Sequence, residues 1–189
     1  MSSLAVTTPK SSLSGQPQIP AEPRQRQTGR VISRWRRDTG TMSSAAGKAT
    51  AKVVVCPRCQ TKNRVPSVAN GTPRCGKCHS PIPWVADASD TDFAAIADGS
   101  RIPVLVDLWA PWCGPCLRVS PVLEQLAAEM AGRLKLVKVN VDESPNLARR
   151  FDAQSIPTLV LLGDGKVIAR QVGALPAARL RSWLTNHLP

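Results

Sequence analysis

The chain has 189 residues, 42% of them hydrophobic and 4% aromatic with no Tyr, and a formal net charge of +12. The charge is lopsided: residues 1–52 carry net +7, residues 53–86 net +5, and residues 87–189 none. Together these features exclude a uniformly basic nucleic-acid-binding fold and, with no apolar run long enough, a membrane-spanning helix; they point to a neutral C-terminal domain with basic segments ahead of it.

Residues 1–52 are rich in Ser, Thr, Pro, Gly, Gln and Arg, and their apolar residues are isolated. Such a segment cannot bury enough surface to offset its ordering entropy, so a disordered basic tail is predicted. Neither the N-terminus nor the pair Arg36-Arg37 leads into an apolar segment. No export signal is predicted, and a cytoplasmic location is expected. Arg34-Trp35-Arg36-Arg37 reads as a solvated charge run rather than a nucleic-acid contact. Three readings of the tail stay open: a solvated extension, an organelle transit-like segment, and residues ahead of a translation start at Met42.

Residues 53–86 are too few for a self-sufficient core and need a staple. Cys56-Pro-Arg-Cys59 and Cys75-Gly-Lys-Cys78 stand fifteen residues apart. Two Cys-x-x-Cys turns at that spacing suit one tetrahedral zinc ion held by Cys56, Cys59, Cys75 and Cys78. Arg58, Arg74 and Lys77 would offset part of the thiolate charge. The competing reading, a pair of structural disulfides, is disfavoured without export. His79 lies off the ligand spacing and is read as a non-ligand.

Residues 87–189 alternate strands and helices. A short helix is predicted at Asp90–Asp98, a strand at Pro103–Trp109 and a long helix at Cys113–Ala131 with Val119, Val122, Leu123, Leu126 and Met130 on one face. A strand at Leu134–Val141 and a helix at Ser144–Phe151 follow. Thr158–Leu162 and Val167–Val172 flank Gly-Asp-Gly-Lys, a hairpin signature. Pro176–Leu188 is the last helix. The expected fold class is α/β, a mixed sheet with helices on both faces.

Trp112-Cys113-Gly114-Pro115-Cys116 lies between the first of these strands and the long helix. At a helix N-terminus the unpaired N–H groups and the dipole favour a thiolate, so Cys113 is the expected attacking sulfur. Cys116, one turn further on, can close a disulfide with it, and Gly114 and Pro115 set the geometry of that ring. A metal reading is disfavoured because the other four cysteines already make a complete set.

The segment Val106-Asp107-Leu108-Trp109-Ala110-Pro111-Trp112-Cys113-Gly114-Pro115-Cys116 resembles the thioredoxin family. So do Pro121, Lys138-Val-Asn-Val-Asp142, Ser155-Ile-Pro-Thr158 and Val172-Gly-Ala174. With the upstream cysteines the resemblance narrows to its zinc-containing bacterial branch and runs from Val53 to the C-terminus. It implies the thioredoxin fold and reduction of protein disulfides by dithiol–disulfide exchange. It implies that Asp107 lies beneath the cysteines and moves a proton to or from Cys116, and that Lys138 tunes that carboxyl. It implies a cis Ile156–Pro157 bond facing the disulfide, where Pro157 shapes the substrate groove. Trp112 is expected at the exposed rim, and Gly173 to admit a substrate backbone. Trp109 and Trp183 are read as packing residues and Pro121 as structural.

The expected partners are oxidised substrate proteins and the flavin enzyme thioredoxin reductase, which uses NADPH. The chain has no Gly-x-Gly-x-x-Gly, so no bound nucleotide or flavin is expected. A monomer without membrane association is expected. A second function reading makes the basic zinc module a docking element for protein or nucleic acid, with redox chemistry secondary. Trp84 is the module's first aromatic residue, which weighs against base stacking. A third reading, compatible with the first, has oxidation of the four cysteines release the metal.

Overall fold

The computed structural model describes residues 50–69 and 71–188. Most of the predicted tail therefore lies outside the described residues. The first strand, β1 (Ala51–Val55), already includes its last two positions. β1 pairs antiparallel with β2 (Lys62–Pro66). Thr50 joins the same unit: its carbonyl accepts from the Ser67 N–H at 2.8 Å. The ordered module thus begins ahead of the shift in composition that set the boundary at 52/53. The β-branched run Val53-Val54-Val55 is the local signal for this ribbon.

β3 (Trp84–Asp87) straddles the second boundary, drawn between residues 86 and 87. It is an edge strand of a five-stranded sheet rather than the end of the cysteine module. With β4 (Val104–Trp109), β5 (Lys135–Asn140), β6 (Thr158–Gly163) and β7 (Lys166–Val172), the order across the sheet is β3-β5-β4-β6-β7. β3 and β4 run parallel to β5, while β6 is antiparallel to both β4 and β7.

Strand alternation decides what each face buries. Val104, Val106 and Leu108 of β4, with Val137, Val139, Val160 and Leu162, form one apolar layer. Phe93, Ile96, Leu147 and Phe151 cover it, from the segment before β4 and from helix α2 (Pro145–Arg150). Leu105, Leu136, Leu159 and Leu161 point the other way. There they meet Val119, Leu123 and Leu126 of helix α1 (Gly114–Glu129), and Leu180 and Leu184 of helix α3 (Ala177–His187). The expected mixed sheet with helices on both faces is present.

The helix expected at Asp90–Asp98 is shorter and wider. It is a π-helical turn, Ala94–Asp98, in which the Gly99 N–H reaches the Ala94 carbonyl at 3.0 Å. Asp90 caps a different helix instead. Its carboxylate accepts from the Asn146 and Leu147 N–H groups at 3.1 and 2.9 Å, at the start of α2. The β6–β7 hairpin turns on Asp164 (φ 49°) and Gly165 (φ 72°), the paired positive φ angles that a two-residue connection favours.

The cysteine module has a small core of Cys56, Val65, Cys75, Ile82 and Trp84. The Trp84 indole donates to the Pro66 carbonyl at 3.0 Å. Lys135, on β5, is buried beside it. Its ammonium lies 4.0 Å from the centre of the Trp84 ring and donates to the carbonyls of Ser67, at 2.6 Å, and Ile96.

Candidate functional site

β4 ends at Trp109, and the chain turns through Ala110–Trp112 into α1. Cys113 is the N-cap, extended at φ −83° and ψ 96°, and its sulfur accepts from the Cys116 N–H at 3.2 Å. Pro115 falls in the first turn, where its missing N–H removes only a donor that has no intrahelical acceptor. Gly114 is not forced by crowding, since an added Cβ would meet the Arg118 guanidinium at 3.6 Å. Cys113 and Cys116 are joined as a disulfide. The pair is buried with Ala110 and bordered by Trp109, Val141 and Ile156.

Asp107 interrupts the apolar run of β4 and shares the α1-facing side with Leu105. It is 1% exposed, and neither carboxylate oxygen has a hydrogen-bond partner among the described residues. Burial pushes its pKa from 3.8 up to about 6, against the pull of Lys138 and with a small push from Glu124. Lys138 sits opposite Asp107 in the β4–β5 register. It is 14% exposed and reaches across to α1, where it pairs with Glu124 at 3.1 Å and donates to Ser120. The α1 partners carry no sequence signal of their own; the i, i+4 spacing of Ser120 and Glu124 places both on one helix face, and only packing brings that face to Lys138.

Three further predicted residues come from different segments. Trp112 is 69% exposed, and its indole donates to Asp142 at 2.8 Å. The Ile156–Pro157 bond is cis, and the Ile156 carbonyl oxygen lies 3.7 Å from the Cys113 sulfur. Gly173 has φ 85°, and its N–H donates to the Pro157 carbonyl at 2.9 Å. An added Cβ at Gly173 would face open space. Backbone conformation, rather than crowding, is therefore what favours glycine there.

The four remaining cysteines form a second centre. Their sulfurs all lie within 4.8 Å of one another, with Cys56–Cys78 at 3.6 Å and Cys59–Cys75 at 3.5 Å. Four sulfurs at ~2.3 Å around a tetrahedral zinc ion stand about 3.8 Å apart, so this donor set fits that ion. The two knuckles repeat each other. The Cys56 N–H donates to the Thr61 carbonyl and the Cys75 N–H to the Ser80 carbonyl, both at 2.9 Å. Gln60 and His79, one residue past each second cysteine, both take positive φ, 60° and 56°. His79 is thus a turn residue outside the sulfur cluster. The N–H groups of Cys78 and Lys77 hold the Cys75 thiol down to about 6, toward the anionic form a metal requires. Burial pushes Cys56 the other way.

A sequence model of the thioredoxin family matches residues 84–186, beginning at the first residue of β3. Thioredoxin of Haemophilus influenzae is 47% identical over 104 residues, covering 55% of this chain and 97% of that protein. Thioredoxin of Bacillus subtilis is 44% identical over 104 residues, covering 55% and 98%. Thioredoxin C-3 of Corynebacterium nephridii is 36% identical over 140 residues, covering 72% of this chain and 95% of that protein. A match of that extent cannot begin later than about residue 54, so it takes in the segment holding all six cysteines. The cysteine pair at the start of α1 and these matches establish that the chain belongs to the thioredoxin family and is a thiol–disulfide oxidoreductase.

Proposed function

We propose that the chain is a protein-disulfide reductase of the zinc-containing bacterial kind, thioredoxin 2, with a four-cysteine module ahead of a thioredoxin domain. One observation carries the redox reading: a vicinal cysteine pair at the first turn of α1, on the side of the sheet that holds a buried carboxyl without a partner. In the reduced protein the Cys113 thiolate attacks one sulfur of a substrate disulfide. The substrate S–S bond breaks, one substrate thiolate leaves, and a mixed disulfide with Cys113 remains. Cys116 loses its proton to Asp107 and attacks the Cys113 sulfur. The second substrate thiolate leaves, and the two electrons the substrate gains are those lost as the Cys113–Cys116 bond forms.

Trp112, cis-Pro157 and Gly173 form the rim that receives the substrate chain, and Lys138 tunes Asp107. Thioredoxin reductase, drawing on NADPH, returns the pair to the dithiol. The deciding assay is insulin reduction by dithiothreitol, with wild type and Cys113→Ser. Wild type accelerates the reaction and the variant does not; a wild type no faster than dithiothreitol alone overturns the reading. NADPH consumption with added thioredoxin reductase tests the recycling step.

Cys56, Cys59, Cys75 and Cys78 would hold one zinc ion, which supplies a crosslink between two knuckles that bury little surface themselves. Metal analysis of the reduced protein is expected to give one zinc per chain, and a value near zero overturns this reading. Comparing insulin reduction before and after oxidative metal loss separates a structural ion from a redox-responsive one.

A further inference from the structure

We propose that Asn63 is a positioning residue for the four-cysteine centre: its carboxamide ties the second knuckle to the first and donates to the Cys75 sulfur, and so governs how firmly a metal is kept. The inference rests on the zinc reading above. Asn63 is not part of either Cys-x-x-Cys motif. It lies on β2, opposite Val54 of β1, and is partly buried.

Each knuckle closes on itself through its own backbone hydrogen bonds. Each also sets a hydroxyl two residues past its second cysteine. Thr61 Oγ1 lies 3.3 Å from the Cys59 sulfur, and Ser80 Oγ lies 3.4 Å from the Cys78 sulfur. Between the knuckles that repeat contributes one exposed bond, from the Arg58 guanidinium to Ser80 Oγ at 3.2 Å. Asn63 breaks the symmetry. Its Nδ2 donates to the Thr61 carbonyl at 2.8 Å, which anchors the side chain on the first knuckle. Its Oδ1 accepts from the Gly76 N–H at 2.9 Å, on the second. Its other Nδ2 hydrogen points at the Cys75 sulfur, 3.7 Å away. The Lys77 N–H also addresses that sulfur, at 3.4 Å.

A carboxamide suits this place because it offers an acceptor and two donors from one rigid plane. A donor on a metal thiolate withdraws charge from the sulfur and slows its attack by chelators and oxidants. Outer partners of this kind change metal affinity by roughly 10–100-fold when removed.

The test uses the full chain in wild-type, Asn63→Ala and Asn63→Asp forms. Asn63→Asp keeps the size and the acceptor for Gly76 but replaces the donor with a negative charge beside the thiolates. Zinc per chain is measured first, then the rate of zinc transfer to a chromophoric chelator at pH 7. The visible spectrum of the cobalt-substituted proteins reports whether four thiolates still bind. The expected result is about tenfold or faster zinc transfer in Asn63→Ala, and faster still in Asn63→Asp, with the four-thiolate cobalt spectrum retained. Wild-type transfer rates in both variants overturn this inference and leave the zinc reading standing. A wild-type protein without zinc overturns both.

Discussion

Asp107 is the residue with the clearest pH consequence. Its folded pKa, about 6, lies above the ordinary 3.8. The native state therefore binds more protons than the unfolded state between those values. Relative stability is greatest below pH 3.8 and is lost as pH rises through 6. Asp107→Asn is expected to stabilise the oxidised protein at pH 7 by on the order of 3 kcal/mol, with the gain shrinking to nothing below pH 3.8. Chemical denaturation across that range checks the sign. On the mechanism proposed above, the same variant is expected to resolve mixed disulfides more slowly near neutral pH, because it removes the proton acceptor for Cys116. Rapid-quench trapping of the mixed disulfide measures this. That Asp107 is buried in β4 and that Lys138 lies on β5 was legible in the sequence. What was not legible is that both Asp107 oxygens go without a partner while Lys138 is held by Ser120 and Glu124.

Among the elements, periodicity identified those whose apolar faces are long. The long helix, β5 and the hairpin all fall within a few residues of their expected limits. The hairpin turn carries its own test. Gly165 has φ 72°, and an added Cβ would lie 3.3 Å from the Asp98 carbonyl oxygen. Gly165→Ala is expected to cost about 1–2 kcal/mol, read from the midpoint of urea unfolding. Elements built from few residues were harder. β3 has four residues, and its strand character comes from pairing with β5 rather than from its own pattern. The π-turn at Ala94–Asp98 also departs from its local pattern, because Asp90 is recruited to α2 and Asp92 accepts from the Ser89 N–H at 2.7 Å.

On the scale of the whole molecule, the cysteine module and the redox sheet meet around one buried cation. Among the described residues the Lys135 ammonium has no carboxylate partner. It is held by two carbonyls and the Trp84 ring, drawn from both sides of the junction. Burial lowers its pKa from 10.5 to about 8. The unfolded chain thus binds more protons over that range, and the contribution to stability is lost as pH falls through 8. Lys135→Met is expected to remove this pH dependence and to leave the Ser67 and Ile96 carbonyls without a donor. Faster amide hydrogen exchange in β1 and β2, with exchange in β4 and β6 unchanged, is the expected signature. On the zinc reading, stripping the metal from reduced protein is expected to expose residues 50–82 to proteolysis, since they contribute only Cys56, Val65, Cys75 and Ile82 to the buried cluster they share with Trp84. The thioredoxin domain, with a core on both faces of its sheet, is expected to survive as the resistant fragment.

The sequence by itself determined how the six cysteines group, one pair at a helix start and one set of four. Cys-x-x-Cys spacing is a local property, and whether a pair caps a helix or belongs to a four-sulfur set follows from its neighbours in the chain. Alternation and helical periodicity are local too, so the fold class was within reach. Only the tertiary structure decided where the parts join. β3 belongs to the redox sheet, Asn63 spans the two knuckles and Lys135 lies at the junction. Each assignment depends on partners distant in the chain, and hydrogen bonds across such distances leave no periodic trace in the sequence.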